Sequence, residues 1–347
     1  MNILEKLIFP KKPQCILVWK ASLKKQFPKS NQFFYLANKF VQCRPKNFKK
    51  EAELIVMGKV FTTQQLQLLL NLLNKQNITC LQLCTPEKIV DITGIRLLLN
   101  AFPVRLKDSL GKFVQQEKLD FALRISFPDF SKPGLVLMDM DSTAIQIECI
   151  DEIACLYGVG EEVATITKDA MHGKIDFNTS LRTRVSKLSG ASLTLLKQVA
   201  DAMPLMPGLN VLITQLHQAG WKVAIASGGF HYFADRLQAD HGFDFCIANH
   251  LEVKNGVLTG KLVGEIINAD VKARTLAKLR GEYRILREQT IAIGDGANDL
   301  LMLQSAGLGI ALHAKPIVQK QAHSALVNLD LQGVLFLLSL THQTQWC

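Results

Sequence analysis

Apolar runs alternating with helical patterns predict an α/β architecture: a doubly wound parallel sheet with an inserted helical cap, preceded by a separate small α+β domain. Three observations carry this expectation. Beyond residue 134 the runs LVLMDMD (135–141), KVAIASGG (222–229), FDFCIAN (243–249) and TIAIGDG (290–296) recur between helical segments, as strands of a parallel sheet covered on both faces do. Between the first two runs the pattern is helical throughout. The N-terminal third has its own pattern and a different charge.

Taken in order, QCILVW (14–19) and ELIVMGKVF (53–61) read as short strands, and Phe33, Phe34 and Tyr35 as the core of a strand or helix. TQQLQLLLNLLNKQ (63–76) reads as an amphipathic helix with Thr62 or Thr63 as N-cap. Residues 94–119 read as mostly helical, interrupted at Pro103. Cys80 and Cys84 are spaced C-x3-C with no second pair nearby. A zinc site needs four ligands, so buried thiols are expected. SFPDFSKPG (126–134) has the Pro, Gly and Ser content of a linker. After the strand at 135–141, helices are expected at 144–157, 161–171, 177–189 and 192–202, and shorter strands at LGIAL (308–312) and ALVNL (325–329). The domains are therefore set at 1–125 (small, basic, α+β, of unassigned role), 126–134 (linker), 135–143 with 205–330 (core), 144–204 (cap) and 331–347 (C-terminal tail).

Composition narrows the function classes. The 347 residues carry a net charge of +10 and are 48% hydrophobic, which excludes disorder of the whole chain. Residues 1–50 hold 12 Lys/Arg against one acid, Glu5, so the excess charge belongs to that segment. Its Lys residues are scattered among apolar ones, which fits a solvated surface, and nucleic-acid binding is not expected. The uncharged stretches 300–312 and 331–340 fall short of the roughly 18 residues a membrane helix needs. No secretory leader is recognised, and eight cysteines are too few for a disulfide scaffold. A reducing cytoplasm with free thiols is expected.

The chemistry gathers at the ends of the apolar runs, where α/β sheets place ligands. Asp139 and Asp141 close the first run, and Asp295 and Asp299 lie in GDGAND at the end of another. Carboxylates brought together at buried strand ends need a cation or hydrogen-bond donors to offset them, and an oxygen-only set without His or Cys suits Mg²⁺. Ser227 ends a third run and opens a Gly-Gly turn whose amides can face an anion. Lys272 follows an Asn-Ala-Asp turn at the start of a helical segment. A divalent ion, a Lys, a hydroxyl and free amides together neutralise a phosphate, and a carboxylate beside them can attack it.

These four elements, DMDST (139–143), SGG (227–229), Lys272 and GDGAND (294–299), resemble in kind and order the haloacid dehalogenase superfamily of phosphatases. The additional blocks DSTAIQIECIDEIA, ITKDAMHGKIDFNTSLRTRV and MPGL are similar to its phosphoserine-cleaving branch, over roughly residues 134–330. The resemblance implies Asp139 as a nucleophile that becomes an aspartyl-phosphate and Asp141 as general acid, then base. It implies one Mg²⁺ held by Asp139, the Asp141 backbone carbonyl and Asp295, with Asp299 orienting that shell. Ser227, Gly228, Lys272 and Asn298 would bind the phosphoryl group. In the cap, Glu148 would meet the substrate ammonium, Arg184 would clamp its carboxylate, and Met171 and Phe177 would form an apolar lid. Arg182 is the competing cation and should face elsewhere; His172 should be exposed. Ser142 and Thr143 read as caps of the following helix. Pro204–Gly208 would return the chain to the core. The expected reaction is Mg²⁺-dependent hydrolysis of O-phospho-L-serine, the last step of serine synthesis. The alternative is another small-molecule phosphatase or a phosphotransferase of the same fold, for example one passing the phosphoryl group to homoserine. A small-molecule substrate and no membrane partner are expected, and a homodimer is left open.

Overall fold

The computed structural model describes residues 50–339 apart from 79, 85–90 and 104, with backbone only for 80–84, and adds the backbone of two short strands, β1 (Phe34–Leu36) and β2 (Lys39–Val41). The strand expected at 14–19, nearly all of the basic segment and the tail beyond 339 lie outside the described residues. Two compact units emerge: residues 1–130 with 323–347, and Ser131–Ala322.

In the first unit β3 (Ala52–Gly58) is followed by α1 (Thr63–Lys75). Thr62 caps α1 in a reciprocal box: its hydroxyl accepts from the Gln65 amide at 3.2 Å, and its own amide donates to Gln65 Oε1 at 2.9 Å. β4 (Cys80–Cys84), β5 (Thr93–Leu99), α2 (Leu106–Glu117) and β6 (Asp120–Arg124) follow. The sequence reading of 94–119 as helical is corrected over 93–99, which form a strand. Leu97, Leu98 and Leu99 favour a helix on their own, but this segment pairs antiparallel with β3 on one side and β4 on the other, and tertiary pairing overrides weak propensity. Leu54, Val56, Ile95 and Leu97 share a core with Leu66, Leu69 and Leu73 of α1 and Leu110 and Phe113 of α2.

In the second unit β7 (Leu135–Met138) is followed by four helices, α3 (Cys149–Tyr157), α4 (Gly160–Met171), α5 (Phe177–Lys187) and α6 (Leu193–Ala202). They match the expected cap helices, except that the first begins at Cys149. The two chain crossings between cap and sheet pair with each other: Ile145 bridges Leu205, and the Met206 amide donates to Ala144 O at 2.8 Å. After α7 (Leu209–Gln218) come β8 (Lys222–Phe230), α8 (His231–His241), β9 (Phe245–Lys254), β10 (Val257–Val263), α9 (Ala269–Glu282), β11 (Thr290–Gly294), α10 (Leu300–Ser305), β12 (Leu308–Leu312) and α11 (Pro316–Gln321). The sheet runs β10-β9-β8-β7-β11-β12, parallel from β9 to β12. Only β10 is antiparallel, joined to β9 by a hairpin through Asn255 and Gly256, both at positive φ.

The first unit is completed by the C-terminal segment. β13 (Ser324–Leu326) pairs antiparallel with β6, and α12 (Gln332–Ser339) is buried from Gly333 onward. Asp120 accepts hydrogen bonds from the amides of Val327, Asn328 and Leu329. The boundary at residue 322 thus differs from the sequence division, which gave 323–330 to the core and 331–347 to a tail. No helix among the described residues is long and apolar enough to cross a membrane.

Candidate active site

The site lies at the C-terminal ends of β7, β8 and β11. β7 is wholly apolar and buried, so the chain delivers Asp139 to the sheet edge, where its amide still donates to Ile293 O of β11 at 3.0 Å. Asp139 Oδ1 accepts from the Met140 amide at 2.7 Å. Its other oxygen is 2.6 Å from Lys272 Nζ. Lys272 sits in the first turn of α9, which Asn268 caps by accepting from the Val271 amide. The side chain is 0% exposed and also reaches Asp299 Oδ1 at 2.7 Å. Burial lowers its pKa, but the two carboxylates outweigh this and hold it above the ordinary value. Asp299 is anchored a second time, accepting from the Gly296 amide at 3.0 Å.

Asp139, Asp295 and Asp299 each present an oxygen within 4.8 Å of the others. Lys272 offsets only part of that charge. Burial, then Asp139 and Asp299, push Asp295 up to about 8, and burial and Asp139 push Asp299 up to about 7. A carboxylate cluster so short of positive charge, with oxygen donors alone, fits a hard divalent cation. Both oxygens of Asp139 and of Asp299 already have one partner, but a carboxylate oxygen has lone pairs for more than one, so all three acids of the cluster remain able to face such an ion.

Asp141 stands beside this cluster and is nearly buried. Its pKa is raised well above the carboxylate range by burial, then by Glu148 and Asp139; a long 3.4 Å contact from the Cys149 amide opposes this weakly. Ser142 follows at φ 54, a left-handed conformation rare for a residue with a side chain. The turn aims its hydroxyl at Glu148, donating to Oε1 at 2.8 Å. Ser142 and Thr143 therefore do not cap α3, as the sequence suggested. Glu148 occupies the N-cap position, and Ser142 fixes the Glu148 side chain.

Ser227 is buried, and its hydroxyl accepts from the Gly229 amide at 2.9 Å. A Cβ on Gly229 would lie 2.6 Å from Asp141 Oδ2, and one on Gly228 would lie 2.8 Å from Phe177 Cζ. Two glycines are therefore needed for the strand end to come this close to both the acid and the cap. Asn249 braces the same loop, donating to Gly228 O at 2.8 Å and accepting from the Ile267 amide at 2.9 Å.

Asp139, Asp141, Glu148, Met171, Phe177, Arg184, Ser227, Gly228, Asp295 and Asn298 all line one cavity of about 1040 Å³. Lys272 and Asp299 do not line it; they are fully buried, with Lys272 bridging Asp139 and Asp299. Arg182 is exposed, as is His172. Met171 is 62% exposed at the rim, where Lys315 Nζ approaches its sulfur at 3.5 Å. Asp151, Asn178, Ser180, Asn249 and Lys315 went unnoticed in the sequence. The i, i+3 spacing of Glu148 and Asp151 was the one available signal.

The chain belongs to the haloacid dehalogenase-like hydrolases, whose family model matches residues 133–307. Within that family it belongs with the phosphoserine phosphatases. The phosphoserine phosphatase of Vibrio cholerae is 53% identical over 222 residues, covering 64% of this chain and 68% of that protein. The unliganded crystal structure of a probable phosphoserine phosphatase from Vibrio cholerae superimposes with a TM-score of 0.70 at 42% identity, covering 87% of this chain and 92% of that one. A substrate-bound phosphoserine phosphatase complex gives a TM-score of 0.57 at 40% identity, covering 59% of this chain and 98% of that one.

Proposed function

We propose that this chain hydrolyses O-phospho-L-serine to L-serine and inorganic phosphate, as the names of its relatives indicate for them, and supplies the last step of serine synthesis. The observation that supports it most is the meeting, in one cavity, of a Lys272-anchored Asp139 with Glu148 and Arg184 from the cap.

The Asp139 carboxylate attacks phosphorus in line with the serine oxygen. The P–O(serine) bond breaks as the aspartyl-phosphate forms, splitting one hard displacement into two easier ones. Asp141, kept protonated by burial and its acidic neighbours, gives its proton to the departing serine oxygen. It then takes a proton from the water that attacks the aspartyl-phosphate, so Asp139 and free phosphate are regenerated. Lys272 holds Asp139 in a single orientation. The Ser227 hydroxyl, the Gly228 amide and Asn298 bind the phosphoryl oxygens.

Magnesium would be held by Asp139, Asp295 and the Asp141 backbone carbonyl, and would supply positive charge to the phosphoryl group. Asp299 keeps that set in place through Lys272 and the Gly296 amide. At the cap end Glu148 meets the substrate ammonium and Arg184 its carboxylate, a planar match that suits Arg over Lys. Phe177, against Gly228, and Met171 shut out water. A cytoplasmic setting, in which the thiols of Cys149, Cys155 and Cys246 would stay reduced, is part of this proposal.

The test is phosphate release from a panel of phosphomonoesters, with and without Mg²⁺, by the native chain and Asp139→Asn. The expected result is a strong preference for L-phosphoserine, dependence on Mg²⁺ and no turnover by the variant. Absence of preference would overturn the substrate assignment, and transfer of the phosphoryl group to added homoserine would overturn hydrolysis.

A further inference from the structure

The cap wall of the cavity carries a carboxylate and a guanidinium that each keep one shielded polar atom unbonded. Arg184 Nε and Asp151 Oδ1 are both shielded from solvent, and neither has a hydrogen-bond partner. Both residues line the cavity. Asp151 lies in the first turn of α3, one turn beyond Glu148, and Arg184 lies on α5. Two helices thus bring a carboxylate and a guanidinium to one wall. Burial raises the pKa of Asp151 and lowers that of Arg184, and each is the charge that most opposes the shift of the other. A shielded polar atom left unbonded is costly, so each of these two atoms gains from a partner once the site is filled and dry.

The geometry of a guanidinium decides what Asp151 does. Its five N–H groups lie in one plane. A carboxylate accepting from Nε–H occupies one edge and leaves the two Nη groups at the tip free for a second, planar anion. We propose that Asp151 is a positioning residue: it accepts from Arg184 Nε–H when substrate binds, and so turns the tip of Arg184 toward the substrate carboxylate. Glu148, whose Oε1 already accepts from Ser142, keeps its other oxygen for the ammonium. The inference rests on Arg184 being the carboxylate clamp.

The test is a double-mutant cycle on the full chain with Mg²⁺, reading KM and kcat for L-phosphoserine and for an aryl phosphate that lacks both head groups. Asp151→Asn should raise KM for phosphoserine about tenfold, with a much smaller effect on kcat and on the aryl phosphate. Arg184→Lys has no Nε–H, so adding Asp151→Asn to it should cause little further loss. Multiplying losses in the double variant would show that Asp151 acts without Arg184, for example on the ammonium directly, and would overturn the proposal. Equal losses on both substrates would make Asp151 merely structural and overturn it too. If Arg184→Lys alone leaves phosphoserine kinetics unchanged, the clamp itself fails and the proposal with it.

Discussion

Metal-free protein should lose stability as pH rises, and Mg²⁺ should restore it. The perturbation is the pairing of Asp295 with a cation. Its carboxyl is pushed from an ordinary 3.8 to about 8 by burial and by Asp139 and Asp299. The folded value lies above the unfolded one, so between about pH 4 and pH 8 the native state binds a proton the unfolded chain has released. Stability therefore falls as pH rises through that window. The full shift corresponds to about 6 kcal/mol at most. Solvent screening of a half-buried carboxylate reduces this to on the order of 2–3 kcal/mol. Asp299, raised to about 7, adds in the same direction. A cation at the cluster replaces the proton, so its stabilisation should grow with pH. The assay is thermal unfolding of chelator-treated protein at pH 6 and pH 8, with and without saturating Mg²⁺. The Mg²⁺-induced rise in Tm should be larger at pH 8 by roughly 5 °C. Asp295→Asn should flatten the pH dependence of the metal-free protein and abolish most of the Mg²⁺ effect. An equal Mg²⁺ shift at both pH values, or one that survives Asp295→Asn, would refute the reasoning.

Other perturbations probe neighbouring parts of the site. Lys272→Met leaves Asp139 and Asp299 buried without their shared cation. It should cost about 3–5 kcal/mol, read by urea unfolding, and should abolish turnover. Arg184→Ala should lower kcat/KM for phosphoserine by about 100-fold, and that for an aryl phosphate far less; steady-state kinetics on both substrates check it. Gly229→Ala puts a methyl group against Asp141 Oδ2 and Met140 Cε. It should lower kcat at least tenfold by displacing the acid, while Tm falls by only a few degrees.

Much of the candidate site was legible because its carboxylates sit at the ends of runs whose burial the sequence announces. Leu135–Met138 could only be a buried strand, so Asp139 had to emerge at its edge, and GDGAND after Thr290–Ile293 repeated the logic. The cap helices were equally readable, since their caps and periodicity are local. What failed was non-local. The strand at 93–99 is leucine-rich and depends on two partner strands for its conformation. The antiparallel strand at 257–263 went unpredicted, although the Asn255-Gly256 turn signals a hairpin. The C-terminal segment is bound into the first unit by amides bonding Asp120, a contact across about two hundred residues that no periodicity can reveal. Ser142 looked like a helix cap because its type suits one. Its left-handed backbone and its grip on Glu148 are properties of the folded turn.

The account depends most on Asp139 accepting the phosphoryl group. Rapid acid quenching of the native chain during turnover of radiolabelled phosphoserine, followed by peptide mapping, tests that step directly. Label should be recovered on the peptide carrying Asp139, and should be lost in Asp139→Asn. Label on another residue, or full turnover with no label on the protein at any quench time, would contradict it.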